Sequence, residues 1–255
     1  MKLASWNVNS LKVRLPQLLD WLATRQPDVV CLQETKLEDA SFPRLEVEAA
    51  GYNVAFSGQK TYNGVALLSR QTLKDVTFGN PRFQDEQKRL ISATVGSTRI
   101  ICAYTPNGQE VGSDKYAYKL AWLDSLSQWL GDELASHPDL ALAGDFNIAP
   151  DDRDVHDPTA WAGQVLCSEP ERAAFRRLES LGLKDSFRLF EQPEKSFSWL
   201  DYRMLGFQKN HGLRIDHILL STPLAGRCVA AGIDREMRKR ERPSDHAPVT
   251  ADISD

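Results

Sequence analysis

Several apolar runs of this chain lead into side chains that could do chemistry. The set contains carboxylates, amides, a tyrosine and a histidine, and its members are Asn7, Glu34, Tyr104, Asn107, Asp145, Asn147, Asp216, Asp245 and His246. Taken singly, each could be an ordinary turn, cap or ion-pair residue. Catalytic groups, however, gather in the loops at one end of a sheet, so the whole set together predicts one site.

The oxygen-rich composition of this set indicates its chemistry. The chain has no G-x-S-x-G elbow, no Gly-rich phosphate loop and no histidines or cysteines at zinc spacing. Carboxylate oxygens suit a hard cation such as Mg²⁺, which keeps several waters for substrate phosphates. The set therefore favours metal-assisted hydrolysis of a phosphate ester. In such a reaction the metal neutralises charge, a carboxylate activates water and a histidine stabilises the phosphoryl oxygens.

The segment RPSDHAPV, residues 242–249, places a serine, an aspartate and a histidine side by side. Adjacent residues do not by themselves make a hydrolase triad, because triad partners meet in space. We interpret His246 as the phosphate-facing group and Asp216 as the carboxylate that orients its ring and favours its charged form. Asp245 is expected to point to the metal or its waters, and Ser244 is not expected to be a nucleophile.

Strands and helices must alternate to position these residues. Apolar runs predict strands over residues 3–8, 28–34, 64–70, 140–150, 213–221 and 247–253, with two more over 90–108 joined by a turn at 96–98. Leucine spacing predicts helices from Leu15 to Leu22 and from Lys115 to His137, and a capping box at Ser168 opens another. The order is not strictly strand–helix–strand, so parallel and antiparallel pairs should coexist in one domain over residues 1–255.

Bulk composition excludes some classes of protein. With 255 residues and a net charge of -4, the chain has no global attraction to nucleic acid, so a polyanion would need a local basic patch. The four cysteines form no CxxC pair and are expected to be buried, reduced thiols. No signal peptide and no apolar run of roughly 18 residues is visible, which predicts a cytoplasmic protein without a membrane partner.

Motifs spread along the chain resemble those of a known family. They are WNVNSL, PDVVCLQETKL, GYNVAFSGQKTYNGVALLSR, GDFNIAP, FSWLDYR, GLRIDHILLS and ERPSDHAPV. In this order they resemble the exonuclease III family of abasic-site endonucleases, within the endonuclease/exonuclease/phosphatase superfamily. The resemblance implies a four-layer α/β sandwich with two packed mixed sheets flanked by helices. It also implies Mg²⁺ or Mn²⁺ dependence and cleavage of double-stranded DNA 5′ to abasic sites, leaving a 3′-hydroxyl, in DNA repair.

The same resemblance implies a role for each matching residue. Glu34 would bind the metal, with Asp245 and Asn7 close to it. Asp145 would activate the attacking water, with Asn147 as its orienting partner. His246, supported by Asp216, would contact the phosphate. Tyr104 and Asn7 would contact the phosphate and organise the site. Lys115 and Asn107 match phosphate-contacting positions less securely. Trp199 matches the aromatic residue beside the pocket that receives the abasic sugar.

Two segments could contact DNA directly. Residues 235–242, REMRKRER, carry five basic side chains, from which we expect Arg238, Lys239 and Arg240 to contact phosphates. Residues 58–62 offer Lys60 and Tyr62 for the same purpose. Charge runs are usually solvated faces, but an acidic protein must place its positive charge near the site, which favours phosphate contacts here. Without the resemblance, Trp199 would be interpreted as core filling.

Related activities remain open from the sequence. Relatives also process blocked 3′ ends, as 3′-phosphatases or 3′–5′ exonucleases, and residues 157–172 around Leu166 are expected to wall the pocket that decides this balance. A phosphatase acting on other phosphoesters and a catalytically silent nucleic-acid-binding regulator are the alternatives. A silent relative should have lost Glu34, Asp145 or His246, all of which are present. The protein is expected to be a monomer that acts on chromosomal DNA.

Overall fold

The computed structural model describes residues 1–255. Its strands are β1 (Lys2–Asn7), β2 (Val29–Gln33), β3 (Asn53–Ser57), β4 (Val65–Ser69), β5 (Leu73–Phe78), β6 (Leu90–Val95), β7 (Thr98–Tyr104), β8 (Leu140–Asp145), β9 (Leu183–Asp185), β10 (Trp199–Leu200), β11 (Gly212–Leu213), β12 (Asp216–Ser221), β13 (Cys228–Ile233) and β14 (Val249–Ile253). Its α-helices are α1 (Leu11–Arg25), α2 (Arg44–Ala49), α3 (Asp114–Ser136), α4 (Pro158–Trp161), α5 (Glu169–Ser180), α6 (Gly206–Lys209) and α7 (Thr222–Arg227). Short 3₁₀ turns join several of them.

Most of the strands form two six-stranded sheets. The first has the order β13-β14-β1-β2-β4-β3 and the second β5-β6-β7-β8-β12-β9, while β10 and β11 form a separate ribbon. Within the two sheets, β1 and β2 run parallel, as do β7 and β8, and the other neighbours are antiparallel. The expectation that both kinds of pairing coexist is confirmed.

Apolar side chains explain why the sheets pack face to face. Every residue of β2, β4, β8 and β12 is buried, as expected for strands covered on both sides. Inward-facing residues of both sheets share one core, which includes Cys31 and Cys102. The outer face of the first sheet packs against α1 and α2, and that of the second against α3 and α5. The predicted four-layer α/β sandwich is confirmed.

Local signals account for the two helices that matter most for the site. The side chain of Ser113 caps α3 by accepting a hydrogen bond from the backbone N–H of Tyr116 at 3.2 Å. The predicted capping box of Ser168 and Glu171 is present at the start of α5. Both helices therefore begin where their capping residues predict, next to loops that reach the candidate site.

All four cysteines are free thiols; Cys31, Cys102 and Cys167 are buried and Cys228 is partly exposed. None of the helices has the length and apolar character needed to cross a membrane. That residues 1–255 form a single domain stays a prediction.

Candidate active site

Strand register brings the predicted side chains together. Tyr104 lies opposite Asp145 across β7 and β8, and Asp145 lies opposite Asp216 across β8 and β12. Asp216 lies inside the strand predicted over residues 213–221, but it is the first residue of β12. Because β12 runs antiparallel to β8, the start of β12 meets the end of β8 at the same sheet edge. The first sheet contributes Asn7 from the end of β1 and Glu34 from the residue after β2.

The amide of Asn7 joins the two sheets. Its Nδ2 donates to Oε1 of Glu34 and to Oδ2 of Asp145, each at 2.9 Å. Glu34 has a φ of 52°, which non-glycine residues rarely adopt. The flanking backbone maintains this conformation, because Ser10 donates to the Glu34 carbonyl at 2.8 Å and Thr35 donates to Gly64 at 3.2 Å. The Glu34 carboxylate is thereby aimed at Asp145.

His246 is held by the loop that precedes β14. Its Nδ1 lies 2.8 Å from Oδ2 of Asp216, and its Nε2 lies 3.8 Å from Oδ2 of Asp145. The hydroxyl of Ser244 donates to the Asn7 carbonyl at 2.7 Å and accepts from the His246 backbone N–H at 3.1 Å. Ser244 therefore fixes the loop to β1, consistent with the expectation that it is no nucleophile.

Charge at the centre favours a protonated histidine. Burial disfavours the imidazolium, but the carboxylates of Asp216 and Asp145 outweigh it and raise the pKa of His246 to about 10. Burial and then the Asp216 carboxylate raise the pKa of Asp145 to about 7, against the lowering effects of His246, Asn7 and the backbone N–H of Asn147. A charged donor thus stands beside a carboxylate that can accept a proton near neutral pH.

Tyr104 remains a neutral hydrogen-bond donor. Burial, followed by the charges of Glu34 and Asp145, raises its pKa well above the ordinary value. The guanidinium of Arg89 lies 4.7 Å from the centre of the Tyr104 ring, and its Nη1 donates to the Tyr104 carbonyl at 3.2 Å. Arg89 was not predicted from the sequence.

Asn147 is locked beside Asp145. Its backbone N–H donates to Oδ1 of Asp145 and its Nδ2 donates to the Thr105 carbonyl, both at 2.9 Å. The exposed Asn107 donates a hydrogen bond from its Nδ2 to Oδ1 of Asn147 at 3.4 Å. These contacts fix the amide of Asn147, while its backbone N–H holds the Asp145 carboxylate.

Asp245 lies at the edge of this group. Its Oδ1 accepts from Nδ2 of Asn9 at 2.9 Å and its Oδ2 accepts from the indole of Trp199 at 3.0 Å. Burial opposes ionisation, but the charge of His246 and these donors lower the pKa of Asp245. The side chains whose ligand atoms lie within 4.8 Å of one another are Glu34, Asp145 and His246, and Asp245 is not among them. Contact of Asp245 with a metal through water therefore fits better than direct ligation.

A polar groove of about 700 Å³ lies next to the site and collects three of the predicted DNA contacts, Tyr62, Asn107 and Lys115, together with Arg89. Lys60 is exposed but does not line this groove. The basic groups of the groove give an acidic protein a local positive surface.

The expectation for Arg238 is wrong. Its side chain is only 5% exposed, and the guanidinium donates to the carbonyls of Ser244 and Leu200, the latter at 2.8 Å. It therefore clamps the His246 loop onto β10 and offers no charge to a phosphate. Lys239 and Arg240 are exposed, paired with Glu236 at 2.6 Å and Asp20 at 2.9 Å.

The segment around Leu166 packs against the Trp199 side of the site. Leu166 is buried with a φ of 76°, and it shares an apolar cluster with Ala149, Leu213 and the partly buried Trp199. Its carbonyl accepts from the Ala149 backbone N–H at 2.8 Å. This contact fixes the wall to the loop that follows β8.

Sequence reasoning missed two further polar groups at the centre. The ammonium of Lys36 lies 3.0 Å from Oε2 of Glu34 and donates to Oδ1 of Asn9 at 2.6 Å. Asn9 in turn contacts Asp245. A lysine two residues after the glutamate in LQETK was the available signal, but it resembles a solvated charge.

A divalent cation fits the oxygen atoms of the centre. Ligand atoms of Glu34, Asp145 and His246 all lie within 4.8 Å of one another. A protonated imidazole has no free lone pair, so the two carboxylates suit a metal and His246 does not. One more oxygen, Oδ1 of Asp216, is buried and has no hydrogen-bond partner in the protein. This donor set matches the ligands that Mg²⁺ and Mn²⁺ prefer.

Comparison with known proteins agrees with this geometry. A sequence model of the Endonuclease/Exonuclease/phosphatase family matches residues 4–246. The chain belongs to this family. It is 41% identical to exodeoxyribonuclease III of Haemophilus influenzae, over 99% of this chain and 100% of that protein. The predicted membership of the exonuclease III family is therefore confirmed.

Solved structures give the same result. The 3′ phosphatase NExo from Neisseria, bound to a product DNA hairpin, superposes with a TM-score of 0.98 and 46% identity, over 100% of this chain and 99% of that chain. An AP endonuclease from Archaeoglobus fulgidus superposes with a TM-score of 0.96 and 37% identity, over 100% of both chains. The similarity to this exonuclease III-type hydrolase family thus spans the entire chain.

Proposed function

We propose that the chain is a divalent-metal-dependent DNA phosphodiesterase that incises double-stranded DNA 5′ to abasic sites and leaves a 3′-hydroxyl. The observation that carries the proposal is the meeting of Glu34, Asp145 and a charged His246 within 4.8 Å. The relatives named as AP endonuclease and exodeoxyribonuclease III support DNA as the substrate. We expect a monomer in the cytoplasm, where chromosomal DNA is accessible.

Each side chain has a part in the proposed reaction. Asp145, whose pKa is raised to about 7 in the metal-free protein, accepts a proton from the attacking water, and the backbone N–H of Asn147 holds the Asp145 carboxylate in place. The imidazolium of His246 and the phenol of Tyr104 donate hydrogen bonds to the phosphoryl oxygens as negative charge develops. The bond between phosphorus and the 3′ oxygen breaks, and that oxygen takes a proton from solvent water and leaves as the 3′-hydroxyl.

Glu34 would hold Mg²⁺ or Mn²⁺, with Asp145, Asp245 and Asn7 beside it. The metal supplies Lewis-acid stabilisation of charge on the phosphate. Trp199 and Leu166 would line the pocket for the sugar, and Tyr62, Lys115 and Asn107 the path of the DNA backbone, with Lys60, Lys239 and Arg240 further out.

A second activity, removal of 3′ phosphates or 3′ nucleotides, has its own support. Both reactions break the same phosphorus–O3′ bond, so one catalytic centre can perform them. The 46% identity to the Neisseria 3′ phosphatase favours this activity. The pocket wall, rather than the catalytic group, would then set the balance between the two activities.

End mapping on two labelled duplexes tests the proposal, one with an abasic analogue and one with a 3′ phosphate, each with Mg²⁺, Mn²⁺ or chelator. We expect chelator-sensitive incision 5′ to the abasic site. Phosphate release without incision would leave only the second activity. The Asp145→Asn variant should bind both duplexes and cleave neither; turnover at the wild-type rate in that variant would refute the role of Asp145.

A further inference from the structure

A fully buried ion pair lies behind the candidate site. The ammonium of Lys119, from α3, pairs with Oε1 of Glu171, from α5, and both side chains are 0% exposed. Lys119 occupies the inward-facing stripe of α3, between the buried Tyr116 and Leu123, where an apolar residue is the usual choice. None of the roles assigned above uses this pair.

All three protons of the Lys119 ammonium have an acceptor. Besides Glu171, they go to the backbone carbonyls of Asn147 at 2.6 Å and Asn107 at 3.1 Å. These two residues lie in the loops that follow β8 and β7. One side chain therefore ties together the backbones of two loops that carry candidate site residues.

Glu171 extends the connection to the pocket wall. Its Oε1 also accepts from the backbone N–H of Leu166 at 3.0 Å, and its Oε2 accepts from the backbone N–H of Ser168 at 3.2 Å. Leu166 has a left-handed φ of 76°, a conformation that surrounding contacts must maintain. Glu171 therefore stabilises both the first turn of α5 and the pocket-wall segment around Leu166.

The position of Asn147 depends on this contact. Asn147 has a φ of 48°, again left-handed, and its backbone N–H is the group that donates to Asp145. Lys119 holds the carbonyl of the same residue. Displacing that carbonyl would rotate the peptide planes beside it and move the donor away from Asp145.

We propose that Lys119 is a positioning residue for phosphoester hydrolysis, with Glu171 as its counter-ion, because its three hydrogen bonds fix Asn147, the Asn107 loop and the Leu166 wall relative to one another. This inference rests on the proposed function, in which Asp145 and Asn147 act at the phosphate. Replacing a buried ion pair by neutral groups often costs little stability. The function of this pair is therefore to set geometry.

The test separates stability from geometry with three variants. Lys119→Met leaves Glu171 buried without a cation, so its melting temperature should fall by roughly 6 to 20 °C. The double variant Lys119→Met/Glu171→Gln removes both charges but keeps an acceptor for Leu166, and should regain most of that loss. Arg99→Met is the matched control, since Arg99 is a buried cation paired with Glu133 at 2.9 Å at the far end of β7 from Tyr104.

Turnover at saturating DNA, measured well below every melting temperature, gives the decisive readout. We expect kcat to fall about 10- to 100-fold in Lys119→Met. It should stay low in the double variant, because the carbonyls of Asn107 and Asn147 still lack the hydrogen bonds that Lys119 donates. Arg99→Met should lose stability and keep the wild-type kcat.

Wild-type kcat in the restabilised double variant would overturn the proposal. A loss of kcat in Arg99→Met matching its loss of stability would also overturn it, since activity would then simply follow folding. Failure of the proposed function gives a different result, namely unchanged turnover in Asp145→Asn whatever these variants do.

Discussion

The positive charge of His246 depends mainly on the neighbouring Asp216 carboxylate, so Asp216→Asn should lower the pKa of His246. Oδ2 of Asp216 lies 2.8 Å from Nδ1 of His246, while the other carboxylate, Asp145, lies 3.8 Å from Nε2. Burial alone would lower the pKa of this imidazole, and the two carboxylates together raise it to about 10. Removing the nearer charge leaves burial, the more distant Asp145 carboxylate and a smaller effect of Asp245.

The expected size of the effect follows from these distances. An adjacent opposite charge shifts a pKa by about 1 to 3 units. Because the contact is buried and only 2.8 Å long, we expect the upper end of this range, which lowers the pKa of His246 in the variant to roughly 7. At pH 8.5 a base with a pKa of about 10 is charged in roughly 97% of molecules, and one with a pKa of about 7 in roughly 3%. If the imidazolium is the active form, the variant should lose about 30-fold in kcat at pH 8.5 and recover most of it near pH 6.5.

Two measurements check this prediction. Imidazole NMR shifts of the metal-free protein, followed from pH 5 to 11 in chelator, report the pKa of His246 directly, and a kcat–pH profile of the loaded enzyme reports the consequence. Asp145→Asn is the matched control for the NMR titration, where it should lower the pKa of His246 by less. Titration of wild-type His246 near 6.5, or an unchanged pKa in Asp216→Asn, would refute the reasoning.

Three other outcomes are expected. Glu34→Ala should raise the Mg²⁺ concentration for half-maximal rate by at least about 10-fold, and an unchanged titration would remove it from the metal site. Neutralising Lys239 and Arg240 together should reduce the salt slope of DNA binding by about 1 to 2, whereas Arg238→Met should leave the slope unchanged and lower the melting temperature. Burial, followed by the Arg214 charge, lowers the pKa of His217 to about 4. The protein should therefore lose about 3 kcal/mol of stability, measured by urea titration, as the pH falls from 6.5 to 4. The His217→Gln variant should abolish this loss.

Buried strands could be predicted from the sequence because their apolar runs are continuous. β2, β4, β8 and β12 each lie within a predicted segment. The edge strand β5, LKDVTF, was not predicted, because most of its side chains are exposed and its composition resembles a loop. Solvent on one side of an edge strand removes the hydrophobic signal that identifies a central one.

Residues of the site were predictable as a set, but their partners were not. Asp145, Asp216 and His246 follow from polar residues at the ends of apolar runs and from the family resemblance. Arg238 was misjudged because a run of basic residues does not reveal which side chain turns inward. Lys119 was overlooked, although a lysine on the buried stripe of a helix is a visible signal, since burying its charge requires partners that only the folded chain supplies.

The cross-strand register of Tyr104, Asp145 and Asp216 has a consequence for how this enzyme can change. Neighbouring strands are spaced about 4.8 Å apart by their backbone hydrogen bonds, so the separation of these three groups is a property of the sheet and not of any loop. Mutations in surface loops that spare the contacts of Lys119 and Glu171 should therefore change substrate preference while the spacing of these three groups stays constant. Exchanging the 157–172 segment between relatives that keep Glu171 should move substrate preference and leave the metal requirement intact.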